Sequence, residues 1–196
     1  MDITSATRPG DGLGNEDIVI AGGHVAVLVS LVDPRTGGHP PAREICARLT
    51  GSLLQDTGTP LRELLSKALG PRAEPPAALS VAVARSRAGH VDLLLQGDAA
   101  VLIQFPDLTV NEMAHGGRPG GPLIASLPAS EARRVCLLSD GARTSAGRCG
   151  WDRRRILDHV AAEGPDAFLA KMRAAAPGTS SGPAPLPGAA VALCSA

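Results

Sequence analysis

The chain has 196 residues, 44% of them hydrophobic, which is the length and composition of one domain around one buried core. Its 19 Lys and Arg balance 19 Asp and Glu, leaving no basic excess to hold nucleic acid or an anionic membrane surface. Aromatics are 2% of the residues, with no Tyr, two Phe and one Trp, so base-stacking platforms are all but excluded and the core must be filled by Ala, Val, Leu and Ile.

Residues 1–14 end in a Gly-rich stretch and read as a flexible leader, without the basic segment and apolar run that direct export. No apolar run approaches the roughly 18 residues that a spanning helix requires. Cys46, Cys136, Cys149 and Cys194 form no CxxC pair, so reduced thiols and a cytoplasmic location are expected. Two apolar stretches, residues 17–21 and 24–29, flank Gly22-Gly23 and predict a β-hairpin. Over residues 41–55, Ala42, Ile45, Cys46, Leu49, Leu53 and Leu54 recur near a period of 3.6 and predict a helix. Pro60 opens a second helix, with Leu61, Leu64, Leu65 and Leu69 on one face and Gly70-Pro71 closing it.

Residues 77–84, 91–95 and 99–105 are short, β-leaning and separated by turn residues, which predicts an antiparallel meander followed by a short strand at 108–110. The run His-Gly-Gly-Arg-Pro-Gly-Gly-Pro at 115–122 is expected to be a surface loop. Residues 135–138 form an apolar strand ending in Ser139-Asp140-Gly141, Asp152 caps a helix over 153–163, and Pro165 starts another over 166–175. Pro177, Pro183, Pro185 and Pro187 make 176–188 a flexible loop before a terminal strand at 189–194. This order is neither a βαβ alternation nor all-β; it predicts an α+β fold over 15–196, antiparallel sheets with helix pairs outside.

Acidic residues at the ends of apolar strands are the informative chemistry, because a strand end is rigid and converging carboxylates suit Mg²⁺ or Mn²⁺. Asn15-Glu16-Asp17 opens the first strand, Gly97-Asp98-Ala99 lies at a strand junction, and Leu138-Ser139-Asp140-Gly141 closes another. Together with Gly37-Gly38-His39 and the terminal strand at Val191, and in this order, these motifs resemble the type 2C (PPM) family of metal-dependent serine/threonine protein phosphatases across nearly the whole chain. The resemblance implies a central antiparallel β-sandwich flanked by helix pairs. It also implies a two-metal centre that lowers the pKa of a bridging water and aims it at phosphorus, with Glu16, Asp17, Asp98 and Asp140 as its acidic residues here.

The sequence departs from that pattern where the chemistry is most demanding. The family's bridging carboxylate ends the second strand as Asp-Gly, and Ser30-Leu31 stands there instead. The Asp before its last strand aligns near Leu186 or Pro187, and its phosphate-binding Arg falls on Gly12-Leu13-Gly14, with Arg8 the nearest candidate. Asp33 could replace the bridging carboxylate if Leu31-Val32 bulges; otherwise Asp33-Pro34 opens a turn. Any Mg or Mn site is expected to be weak. The expectation is therefore a bacterial type 2C homologue with an incomplete dimetal centre: a pseudophosphatase or regulatory binding protein that takes a protein partner or a small ligand in its cleft. The alternatives are a weak Mn- or Mg-dependent phosphoester hydrolase and a metal-independent enzyme using the remaining acids as general acid or base. Cys149, near Arg143 and Arg148, is either an activated thiol or a loop thiol packed near Trp151. The remaining cysteines are expected in the core, and the run Arg153-Arg154-Arg155 is expected to be offset by Asp152 and Asp158.

Overall fold

A computed structural model describes residues 1–9, 15–32, 42–56, 58–70, 79–115, 120–175 and 188–195. Two five-stranded antiparallel sheets stack face to face. Sheet A has the order β1 (Asp2–Arg8), β10 (Ala189–Ser195), β9 (Arg134–Leu138), β6 (Ala100–Gln104), β7 (Val110–Ala114). Sheet B has the order β2 (Asn15–Gly22), β3 (Val25–Val32), β4 (Leu79–Arg87), β5 (His90–Gln96), β8 (Leu123–Pro128). The expected α+β fold, an antiparallel sandwich with helices outside, is what the chain adopts.

Strand periodicity divides the side chains between two faces. In sheet B, Val19, Ala26, Leu28, Ala82, Ala84, Leu93 and Leu95 point between the sheets, where they meet Val101, Val135, Leu137, Ala190 and Ala192 of sheet A. Val25, Val27, Val29, Val81 and Val83 point outward onto α1 (Ala42–Gln55) and α2 (Leu61–Leu69). Because both faces are covered, β3 and β4 read as continuous apolar runs rather than alternating ones. On the other side, α3 (Asp140–Arg148), α4 (Arg153–Glu163) and α5 (Pro165–Ala174) cover Leu102, Cys136, Leu138, Val191 and Leu193 of sheet A.

Four expectations are corrected. Asp2–Arg8, expected within a flexible leader, is an edge strand paired with β10 from Asp2↔Ser195 to Arg8↔Ala189. The expected meander breaks after its second strand: β5 stays in sheet B, whereas β6 crosses to pair with β9 and β7 in sheet A. Strand β8 falls just beyond the expected surface loop, and the short strand expected at 108–110 begins only at Val110. Helix α3 follows Ser139 directly, so the last three helices pack as a trio rather than a pair. Residues 10–14 of the leader and 176–187 of the Pro-rich loop lie outside the described residues.

Candidate functional site

The inward rows of both sheets turn polar at one end of the sandwich. Register places Asp17 of β2 opposite Ser30 of β3, and Ser30 opposite Ser80 of β4. All three share the inward parity of Val19, Leu28 and Ala82, so they form the last layer of the intersheet core. The Ser80 hydroxyl accepts from the Asp98 N–H at 2.8 Å, which fixes the turn between β5 and β6. Gly97 in that turn has φ +74, and a Cβ there would sit 2.4 Å from the Leu79 carbonyl oxygen and 2.6 Å from Ser80 Oγ. Only glycine allows this approach.

Ser139 faces this row from sheet A. It is fully buried at the end of β9, and its hydroxyl oxygen accepts from Ala190 N at 3.0 Å and from Ala142 N at 3.4 Å. The first bond ties β9 to β10; the second caps α3. The Ser139 hydroxyl also favours the ionised carboxylate of Asp17 across the sandwich.

Asp17 is the centre of the cluster. Ser30 Oγ donates to its Oδ1, while its Oδ2 is buried without a hydrogen-bond partner. Burial pushes the Asp17 carboxyl above its ordinary value; the Ser30 and Ser139 hydroxyls oppose that rise, and the nearby Asp140 charge adds to it. Asp140 stands in the first turn of α3, about half exposed, and accepts from Arg143 at 3.3 Å and Thr144 at 3.4 Å. Its charge suits a helix N-terminus.

Of the residues expected at the site, Asp17 and Asp140 are brought together, and Asp98 stands at the same end of sheet B with its side chain exposed. Glu16 lies in β2 opposite Leu31 by its backbone, but its side chain is outside the described residues. So are Asp33, Gly37-Gly38-His39, Gly12-Leu13-Gly14 and Leu186-Pro187. His115 serves the fold, its ring donating to the Leu95 carbonyl at 3.3 Å. Cys149 packs partly buried against the core that includes Trp151. Sequence reasoning missed Ser80 and the bridging part played by Ser139. The signal for Ser80 was a polar residue at an inward position of an otherwise apolar strand.

Two divalent cations need carboxylates converging on a shared point, and the described residues do not provide that. No group of three or more His, Cys, Asp or Glu among them is placed to hold a metal ion. Ser30, where the resemblance expects a bridging carboxylate, carries a neutral hydroxyl that donates to Asp17.

No protein-family model matches the sequence, and no curated protein matches it. Solved structures do resemble the fold. A C. elegans sex-determining protein aligns with TM-score 0.66 and 13% identity, over 98% of this chain and 64% of that one. The PP2C phosphatase domain with a fragment of the regulatory domain of the Bacillus subtilis cell fate determinant SpoIIE aligns with TM-score 0.58 and 14% identity, over 97% of this chain and 62% of that one. The Mycobacterium tuberculosis serine/threonine phosphatase PstP aligns with TM-score 0.55 and 15% identity, over 98% and 97% of the two chains; its catalytic domain is also known in complex with two manganese ions. At these identities the likeness is one of fold, and the chain has the type 2C phosphatase fold.

Proposed function

We propose that the chain is a pseudophosphatase: a bacterial protein of type 2C fold that binds a protein partner or a small ligand at its Asp17 end, without efficient metal-dependent phosphoester hydrolysis. The observation that carries this reading is the hydrogen bond from Ser30 to Asp17. A serine at the bridging position supplies no negative charge for two cations, and its proton competes with a cation for the carboxylate that remains. Fold and chemistry part company here. The balanced charge argues against nucleic acid and membrane partners. No helix among the described residues is long and apolar enough to cross a membrane.

The buried Oδ2 of Asp17, lacking any hydrogen-bond partner, favours a second reading in which this end still takes up a cation or a proton. One Mn²⁺ or Mg²⁺ held loosely by Glu16, Asp17, Asp98 and Asp140, with Asp33 as the candidate replacement for the bridging carboxylate, would give a weak hydrolase; a proton on Asp17 would give a metal-free acid–base catalyst. Calorimetric titration with Mn²⁺ beside hydrolysis of an aryl phosphate separates these. The pseudophosphatase predicts no metal-dependent turnover. Turnover that requires Mn²⁺ and is lost in Asp140→Asn would establish the hydrolase instead, and turnover unaffected by chelator would establish the metal-free catalyst.

A further inference from the structure

A second site stands on the outer side of sheet A, where α4 and α5 meet over Trp151. A surface cleft of about 400 Å³ opens there, lined by Trp151, Arg154, Arg155, Asp158, His159 and Lys171 together with the α4 capping residue Asp152. The Arg155 guanidinium lies 4.5 Å from the centre of the indole and the Lys171 ammonium 5.5 Å from it. His159 packs edge-on against the same ring at 5.0 Å, with Nδ1 3.1 Å from Glu163 Oε1 and its Nε2 buried without a hydrogen-bond partner. Phe168 supports the ring from within the core at 6.0 Å.

The two carboxylates that line the cleft have other partners. Arg153 pairs with Glu112 at 2.6 Å and Arg154 with Asp158 at 3.6 Å. The Asp152 carboxylate accepts from the Arg155 backbone N–H at 2.8 Å as the cap of α4. Arg155 and Lys171 alone converge on the cleft with no carboxylate partner among the described residues. Like charges held near one ring repel each other, and an anion that enters between them removes that repulsion. Two positive charges match a doubly charged anion better than a single carboxylate, and a guanidinium presents its N–H groups in the fork that phosphoryl oxygens accept.

We propose that the Trp151 cleft binds a phosphoryl dianion through Arg155 and Lys171. The cleft is separate from the Asp17 end: α3 has nine residues between Asp140 and Arg148, about 14 Å of helix, and Trp151 lies beyond it. The proposal is independent of whether the Asp17 end is catalytic. The phosphoryl group can belong to free phosphate or to a phosphorylated residue of a protein, and the two sources are told apart by experiment.

Trp151 is the single tryptophan of the chain, so its fluorescence reads the cleft directly. The intact protein is titrated at constant ionic strength with inorganic phosphate, phenyl phosphate, a phosphoserine peptide and the same peptide unphosphorylated. A saturable change with the phosphorylated ligands is expected, and none with the bare peptide. A phosphopeptide that binds tighter than phosphate identifies a protein-borne group; equal affinities identify the free anion. Arg155→Gln and Lys171→Gln are each expected to weaken binding about tenfold, as loss of one charge-assisted hydrogen bond does. Lys171→Arg should retain binding, and Asp140→Asn should leave it unchanged. Lys171 is at the surface, so its variants test the cleft even if Arg155→Gln disturbs packing around the indole. The absence of a saturable signal in the millimolar range, or Lys171→Gln binding like the parent, overturns the proposal.

Discussion

A buried carboxylate with one oxygen unpartnered is a liability for folding, and Asp17 is one. Burial raises its carboxyl above the ordinary value of 3.8 against the pull of Ser30 and Ser139. A group whose pKa rises on folding contributes stability that is complete below its unfolded pKa and is lost as pH climbs through the folded one. Asp17 therefore favours the folded chain near pH 3 and costs it stability at pH 7 and above. Asp17→Asn removes the charge while keeping an oxygen for Ser30 to donate to. It is expected to stabilise the protein at pH 7.5 by about 1 kcal/mol, seen as about 2–4 °C in Tm, and the gain should vanish in melts recorded near pH 3. A variant that melts below the parent at pH 7.5 would show that the ionised carboxylate is needed for packing. The cysteines differ in the same terms: burial pushes the Cys46 and Cys194 thiols up to about 12 and Cys136 higher still, whereas Cys149 is only partly buried. A thiol reagent at pH 8 should therefore label Cys149 in the folded protein and all four thiols in denaturant.

At the scale of elements, an ion pair inside sheet B ties the connection between α1 and α2 to the strands. Arg85 of β4 is fully buried and donates to Asp92 of β5 at 3.0 Å, and to the Asp56 and Thr59 carbonyls at 3.3 and 3.2 Å. Burial acts to raise the Asp92 carboxyl, but hydrogen bonds from Ser126, Arg87 and Arg85 outweigh it and hold it below its ordinary value. The two partners are unequal. Asp92→Ala strands a buried guanidinium and is expected to cost about 3–5 kcal/mol. Arg85→Met leaves Asp92 with Arg87 and Ser126 and should cost about 1–2 kcal/mol. Urea denaturation measures both, and the reverse order would mean that holding the helix connection matters more than the charge. The elements that were legible in sequence are those with a strong period or run: α1, α2, α4 and α5 bury large apolar side chains at helical spacing, and β3 is a continuous apolar run. Helix α3 buries only Gly141, Ala142 and Ala146, so it carries no large apolar stripe, and its small residues are what let it lie close to the end of β9. Strands β1 and β8 are edges, paired on one side and rich in exposed positions, and neither shows the buried run that marks an inner strand. The acids of the site were visible as strand-end residues, but the hydroxyls that organise them were not, because a lone serine has no periodic signature.

For the whole molecule, the question is what joins the two sheets at the end where the apolar core stops. Elsewhere the layers adhere through Val, Leu and Ala, which impose no fixed spacing of their own. At the Asp17 end the contact is polar and directional, and Ser139 is its hinge point: one buried hydroxyl holds β10 through Ala190, starts α3 through Ala142 and faces Asp17 across the sandwich. Ser139→Ala leaves two backbone N–H groups without that acceptor. An unsatisfied buried donor costs about 1–3 kcal/mol and a lost cap typically about 1 kcal/mol, so a loss of about 2–4 kcal/mol is expected. Asp17 also loses a donor that favours its ionised form, so its carboxyl should titrate higher than in the parent and the fall in stability toward neutral pH should steepen. Both effects are read from denaturation curves taken between pH 3 and 8. A variant with the parent's pH dependence but lower stability would show that Ser139 serves the fold alone. A steeper dependence would show that the two sheets meet electrostatically at this end of the sandwich.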